Sequence, residues 1–227
     1  MNFLGLNLDS RKLAFILLFS ALSLALYGFN FSQIIGADSQ YFTLFQFIGP
    51  IGGGILGSAF GAVSVLLVEL ANFFLVGKEF ELVNLVRLLP MVFAAVYFGS
   101  KKRSSAFVAI GAMLLFWIHP IGEQAWFYAL YWVIPLAATF YRQNLFVRSL
   151  GTTFTAHAVG SVVFLYAFNL PAEVWIGLIP IVAFERLMFA AGISASYYVV
   201  NTILEVASWK VDLSFLNIEN KYALVRA

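Results

Sequence analysis

The chain has 227 residues, of which 62% are hydrophobic and only 11% are charged. Soluble domains carry about 25% charged residues, so this composition excludes a water-soluble globule and predicts an all-α polytopic helix bundle in the cell membrane, with the lipid bilayer as its main solvent. The net charge of +2 comes without a basic tract, which gives no indication of nucleic-acid binding, and the absence of cysteine excludes disulfides and thiolate metal sites.

Eight apolar segments are candidate membrane spans, because a spanning helix needs ~20 mostly apolar residues. They are residues 12–31, 41–51, 54–76, 82–99, 105–118, 124–141, 149–169 and 177–206. Segments 41–51 and 105–118 are short enough to be half-helices or re-entrant pieces, so six to eight segments cross. The first segment begins like a signal peptide, but its apolar run is long enough to span and is kept as a helix.

The distribution of basic residues predicts the orientation. If all eight segments cross, ten of the 13 basic residues fall on one side. These are Arg11, Lys12, Lys101, Lys102, Arg103, Arg142, Arg148, Lys210, Lys221 and Arg226. The other side receives Lys78 together with Asp38 and several glutamates. The positive-inside rule then makes residues 1–11 and the tail 207–227 cytoplasmic, in a single membrane domain that covers 1–227.

Glycine recurs at every fourth position from Gly49 to Gly61. The pair Gly49–Pro50 is predicted to end one short helix, and the glycines that follow permit a tight turn. Gly53, Gly57 and Gly61 are predicted to share a helix face, since small residues four apart let helices approach closely in lipid. This face serves helix packing or, alternatively, slides or lines a binding cavity.

Several ionisable or amide side chains lie inside the apolar segments. Such groups are costly in lipid and usually face a bundle interior or a wet cavity. The candidate substrate-binding residues are Glu69, Asn72, Asn84, Arg87, His157, Glu185 and Arg186. Glu69 and Arg87 lie at similar depths on neighbouring antiparallel helices, so an ion pair between them is predicted. Glu185 and Arg186 are adjacent and are predicted to point about 100° apart.

Catalytic signatures are absent from the sequence. It contains no HExxH, GxSxG or P-loop motif, and the HxxxE spacing of His119 and Glu123 is weak support for a metal site. The aromatic residues from Trp126 to Trp132 are either an interfacial belt or a lid over a substrate. We therefore predict no catalytic residues, no metal and no cofactor.

The stretch FQFIGPIGGGILGSAFGAVSVLLVELANF, residues 45–73, resembles the substrate-binding S components of energy-coupling factor (ECF) transporters, which commonly show a G-P-x-x-G turn, here beginning at Gly49. The small residues Ala21 and Ala25 resemble the first-helix pattern that docks the family's shared transmembrane subunit. The stretch LVNLVRLLPMVFAAVYFGSKKR, residues 82–103, is similar in style to the family's next helix. The resemblance covers about the first 100 residues, and the family usually has six helices.

The resemblance implies a capture protein for a vitamin or a similar micronutrient. It implies binding of this small-molecule solute on the outer side, and partnership with a shared transmembrane coupling subunit and two ATPases. Two alternatives remain open at this point: an intramembrane enzyme that uses buried His and Glu side chains, and a non-transporting membrane scaffold protein.

Overall fold

The computed structural model of the protein describes residues 2–3, 6–7, 9–33, 41–168 and 170–225. The helices are α1 Ser10–Tyr27, α2 Phe45–Ile48, α3 Ile51–Leu56, α4 Ser58–Val76, α5 Leu82–Val86, α6 Leu89–Gly99, α7 Phe107–Trp117, α8 Pro120–Gln124, α9 Val133–Ala138, α10 Leu145–Ala167 and α11 Ala172–Ser208. Short 3-10 helices lie at Arg103–Ala106, Trp126–Trp132 and Asn220–Tyr222. Asp38 and Arg226, two charges used to predict the orientation, lie outside the described residues.

Two short antiparallel hairpins accompany the helices, and the sequence did not indicate either of them. Strand β1 Asn2–Phe3 pairs with β2 Leu6–Asn7, and β3 Asn30–Gln33 pairs with β4 Tyr41–Thr43. The second hairpin follows α1 directly. The fold is otherwise all-α, as predicted.

Five helical segments are long and apolar enough to cross a membrane, judged by length and composition. They are Ser10–Tyr27, Ser58–Val76, Leu82–Gly99, Leu145–Ala167 and Ala172–Ser208. Among the described residues there are also three shorter apolar helical segments: Phe45–Leu56, Arg103–Trp117 and Trp126–Ala138. The helical character predicted for the eight segments is therefore confirmed.

The candidate span 124–141 does not form one regular helix. The chain forms a 3-10 helix over Trp126–Trp132 and then the short helix α9, which contains Pro135 in its first turn. Proline has no N–H and its ring clashes with the preceding helical turn, so it favours the first turn of a helix, which is where Pro135 lies. The segment is consequently too short to be a regular spanning helix.

The glycine-rich segment forms a helical hairpin whose turn lies later than predicted. The sequence places the turn directly after Pro50, whereas the structure places it at Gly57, with φ +83° and ψ 159°. This backbone conformation is accessible essentially to glycine alone. The chain can reverse here because no Cβ is present.

Gly53 and Gly61 lie on different helices, so the prediction that they share one helix face with Gly57 is wrong. Gly53 is in α3 and Gly61 is in α4, and they meet across the turn. A Cβ on Gly61 would collide with the backbone of Gly53, and a Cβ on Gly53 would collide with the carbonyl of Ala95 in α6. These two glycines therefore permit three helix backbones to touch.

The main contacts follow a path through the bundle. Helix α4 packs against α1, α3 and α6, while α6 packs against α10 and α10 against α11. Helix α2 contacts both α1 and α11. The polar residues of α4, α6, α10 and α11 consequently have a common interior to face.

One end of the bundle collects the basic residues. Arg11 at the start of α1 forms an ion pair of 2.6 Å with Asp212, which follows α11. Arg148 near the start of α10 pairs with Glu219 at 2.7 Å, and Arg142 donates to two carbonyl oxygens at the end of α6. These contacts tie the ends of four helices together at the end that the sequence assigns to the cytoplasm.

Candidate functional site

A cavity of about 570 Å³ opens at the end of the bundle opposite the basic residues. Cavities of roughly 300–1,000 Å³ are typical of small-molecule sites. The wall contains all seven residues predicted to bind substrate: Glu69, Asn72, Asn84, Arg87, His157, Glu185 and Arg186. The sequence-predicted residues are thus brought together, and their role in binding stays a prediction.

Glu69 projects into this cavity from the middle of α4. It is only 4% exposed, and its carboxylate accepts a 3.0 Å hydrogen bond from the hydroxyl of Tyr27 at the end of α1. Among the described residues no ion pair joins Glu69 to Arg87, so the predicted bridge between them is wrong. Tyr27 occupies the position that was expected for the arginine.

Arg87 lies at a break between α5 and α6. Pro90, in the first turn of α6, has no N–H to donate to the carbonyl of residue 86, so the helix is interrupted at residues 87–88. The Arg87 guanidinium lies 5.5 Å from the ring centroid of Phe164 in α10. The proline break therefore places a positive charge beside an aromatic wall of the cavity.

Lys78 lines the cavity together with Asn72 and Asn84. Asn84 donates a 3.1 Å hydrogen bond to the carbonyl of Glu79 and so holds the loop between α4 and α5. Partial burial, and next the nearby Arg87 guanidinium, lower the pKa of Lys78, while Glu69 acts in the opposite direction. Lys78 and Arg87 therefore lie close enough for their charges to repel.

Glu185 and Arg186 do not diverge as predicted. Their side chains form an ion pair of 3.3 Å, and both line the cavity. Arg186 is 4% exposed, its guanidinium packs over the rings of Phe42 and Phe189, and Nη1 contacts the hydroxyl of Thr153 at 3.4 Å. A long arginine side chain can bend back to its neighbour, even though adjacent Cβ atoms point apart.

His157, a residue of the cavity wall, is held by an aromatic cluster. Trp132 donates to Nδ1 at 3.0 Å, while the Tyr128 hydroxyl lies 2.9 Å and the Ser161 hydroxyl 3.3 Å from Nε2. The prediction that Ser161 lies beside His157 is confirmed. Tyr128 and Trp132 are buried, so neither the belt nor the lid expected for these residues describes them.

Much of the remaining wall is apolar and comes from α10, α11 and the segment between them. It includes Phe164, Leu170, Trp175, Leu178 and Val182. Because Phe164 lies beside the Arg87 guanidinium, this apolar surface borders the charged part of the wall.

Eight polar residues of the wall were not predicted as site residues: Tyr27, Asn30, Tyr41, Thr43, Gln46, Lys78, Tyr128 and Ser161. Gln46 and Ser161 were recognised as polar groups within apolar segments, whereas Lys78 was assigned to a loop and Tyr128 to an aromatic belt or lid. Only the packing of distant segments brings them to the cavity.

Other predicted features lie elsewhere. Ala21 and Ala25 are exposed on α1, along a stripe that includes Leu18 and Leu22, and no described element covers it. His119 caps α8 by accepting from the N–H of Ile121. Among the described residues no group of three His, Asp or Glu side chains is placed to hold a metal ion.

No family model matches the chain, and no solved structure matches it. A curated relative, described as an uncharacterized protein of Methanocaldococcus jannaschii, is 26% identical over 226 aligned residues, which cover 89% of this chain and 75% of the relative. The description of that relative names no activity, and the function is therefore inferred from the cavity.

Proposed function

We propose that the protein is a multi-pass protein of the cell membrane that binds a small solute in this cavity. It acts as the substrate-capture subunit of a transport system similar to an ECF transporter. One observation carries the proposal: seven polar residues from α4, α5–α6, α10 and α11 converge on one cavity inside an apolar bundle. Ionisable groups cost about 2.5–3.5 kcal/mol each at the centre of a spanning helix, so a solute site explains why they collect there.

The positions of the charges support an outward-facing cavity. Arg11, Arg142 and Arg148 lie at the end opposite the cavity, and the positive-inside rule assigns that end, with both termini, to the cytoplasm. The solute then enters from outside, as expected for capture of a vitamin-like micronutrient. Eight crossing or re-entrant segments fit this orientation.

The exposed stripe on α1 supports contact with a coupling subunit. Ala21 and Ala25 leave a smooth strip between exposed leucines, and small residues favour close helix approach in lipid. In this proposal a shared transmembrane subunit binds there, and its ATPases supply the energy for transport.

The experiment uses native mass spectrometry to identify a small molecule retained by the purified protein. Gly160 lines the cavity, and the nearest atom to a Cβ built there is Cγ of Pro90 at 3.8 Å, so Gly160→Leu can begin without a clash and would occupy part of the cavity. Gly111→Leu is the matched control, because a Cβ on this exposed α7 glycine meets nothing within 4 Å. We expect the wild type and Gly111→Leu to retain the molecule and Gly160→Leu to lose it.

Two results would contradict the proposal. One is equal retention by Gly160→Leu, and the other is unchanged solute affinity in both Arg87→Ala and Glu185→Ala. Stoichiometric metal found by elemental analysis would favour the enzyme alternative instead. Co-purification with an ATPase separates a capture subunit from both alternatives.

A further inference from the structure

The charges on the cavity wall do not balance. Two carboxylates and three strongly basic side chains line it: Glu69, Glu185, Lys78, Arg87 and Arg186. Glu185 and Arg186 neutralise each other within their ion pair. Glu69 can offset one of the two remaining cations, so the wall keeps one excess positive charge.

The excess charge lies at Lys78 and Arg87. Within residues 9–33, 41–168 and 170–225, neither side chain forms an ion pair or donates a hydrogen bond to another residue. Burial of Lys78 and its closeness to Arg87 both disfavour its charged form, as its lowered pKa indicates. An anion placed between the two cations would relieve this repulsion.

The groups around this pair are suited to an anionic head group. Arginine binds carboxylate or phosphate through two parallel N–H bonds, and lysine adds a point charge. The amides of Asn72 and Asn84 line the same cavity. Since Arg87 also lies over Phe164, the charged end of a ligand would border the apolar wall directly.

We propose that the solute is a small organic anion whose head group lies between Lys78 and Arg87 and whose apolar body packs against Phe164, Trp175 and Val182. This inference rests on the proposed solute-binding function and adds the chemical class of the solute. Carboxylate and phosphate head groups share the required chemistry.

The test compares compounds that share one body and differ in charge. The anionic compound is hydrocinnamate, the neutral one is hydrocinnamide and the cationic one is phenylpropylamine. A fourth compound, phenethyl phosphate, replaces the carboxylate by a phosphate. Binding to the full-length protein in nanodiscs is measured by calorimetry at low ionic strength. We expect an anion to bind at least about tenfold more tightly than the amide, because hydrogen bonds to charged groups are the stronger ones.

Three variants locate the preference. Lys78→Gln and Arg87→Gln should each weaken binding of the anion about tenfold and leave binding of the amide nearly unchanged. Arg87→Lys should restore part of the loss, which separates a charge effect from misfolding. Arg103→Gln is the matched control, since this arginine also lies over an aromatic ring, that of Phe140, but at the basic end.

The outcomes separate the two proposals. If acid and amide bind equally, and Gly160→Leu abolishes both, the cavity binds solutes but the anion preference is refuted. An equal loss of acid and amide binding in Lys78→Gln would also refute the preference. If no probe binds, the anion inference fails, and the molecule retained through purification decides the proposed function independently. The relative affinity of phenethyl phosphate and hydrocinnamate identifies the head group.

Discussion

The indole nitrogen of Trp132 lies 3.0 Å from Nδ1 of His157 and donates a hydrogen bond to it. An indole N–H can only donate, so Nδ1 is the acceptor and a neutral imidazole carries its proton on Nε2. Nε2 lies 2.9 Å from the hydroxyl of Tyr128, a residue of the cavity wall. The buried tryptophan thereby fixes the tautomer of the histidine and directs the Tyr128 hydroxyl proton away from it.

Nitrogen NMR of the labelled imidazole tests this arrangement. We expect His157 in the wild type to be protonated at Nε2 alone. Trp132→Phe should produce a mixture of tautomers and lower the free energy of unfolding by at least about 1 kcal/mol, because a buried hydrogen bond is lost. His119→Gln removes the other histidine and serves to assign the signals. A proton on Nδ1 of the wild type would contradict the prediction.

The contact between α3 and α4 predicts an unusual sensitivity at Gly61. Gly61→Ala should destabilise the protein by about 1–3 kcal/mol or more, because the new methyl group collides with the backbone of Gly53 and backbone cannot rotate away. Gly111→Ala is the control and should be neutral or slightly stabilising, since alanine favours helix and the site is open. Thermal unfolding in detergent measures both. Equal stability of the two variants would show that the close approach is not required.

The convergence of the seven polar residues could be predicted because burial of a charge in lipid is costly wherever it occurs along the chain. Glu69 and Arg87 were placed at similar depths by counting from the loop between their helices. Their actual partners could not be predicted, since these depend on Tyr27 reaching Glu69 from α1 and on the break that Pro90 makes beside Arg87. Depth follows from local sequence, whereas the choice of partner follows from tertiary packing.

The glycine pattern shows the same limit. Spacing by four indicated close packing, and the structure has close packing at Gly53 and Gly61. Periodicity assumes a continuous helix, and the left-handed backbone at Gly57 interrupts it. The residues were therefore identified correctly, while the helices on which they lie were not.

The ion pair between Arg148 and Glu219 is predicted to fasten the C-terminal segment to the bundle. The Arg148 guanidinium lies 4.4 Å from the ring centroid of Phe98, and its side chain is only 11% exposed. Glu219→Gln should cost about 2 kcal/mol, since it leaves a largely buried arginine without its counter-charge. Chemical unfolding in detergent provides the measurement.

The control for that variant is Lys221→Gln. Lys221 lies 3.5 Å from the same carboxylate but is 53% exposed, so its loss should change stability by no more than about 0.5 kcal/mol. If Glu219→Gln unfolded like the wild type, the C-terminal segment would not be fastened by this pair. If both variants lost equal stability, the general charge of the segment would be responsible rather than the buried contact.

The exposed ion pair between Arg11 and Asp212 should be lost only at unusually low pH, because the pKa of Asp212 is lowered. Hydrogen bonds from Ser214, followed by the Arg11 guanidinium, lower the pKa of Asp212 to about 2, whereas an unperturbed aspartate has a pKa of about 3.9. A carboxyl whose pKa is lower in the folded state stabilises the folded state at pH values above its unfolded-state pKa. This stabilisation is lost as the pH falls through about 2.

Carbon NMR of labelled aspartate should therefore show Asp212 titrating near 2 in the wild type. Arg11→Gln should raise this pKa towards the ordinary value, because it removes the guanidinium that donates to Oδ2 at 2.6 Å, and Ser208→Ala, which removes a hydroxyl bonded to the carbonyl of Glu205 instead, should leave it unchanged. A wild-type midpoint at the ordinary value would mean that the link between the start of α1 and the segment after α11 does not persist in solution.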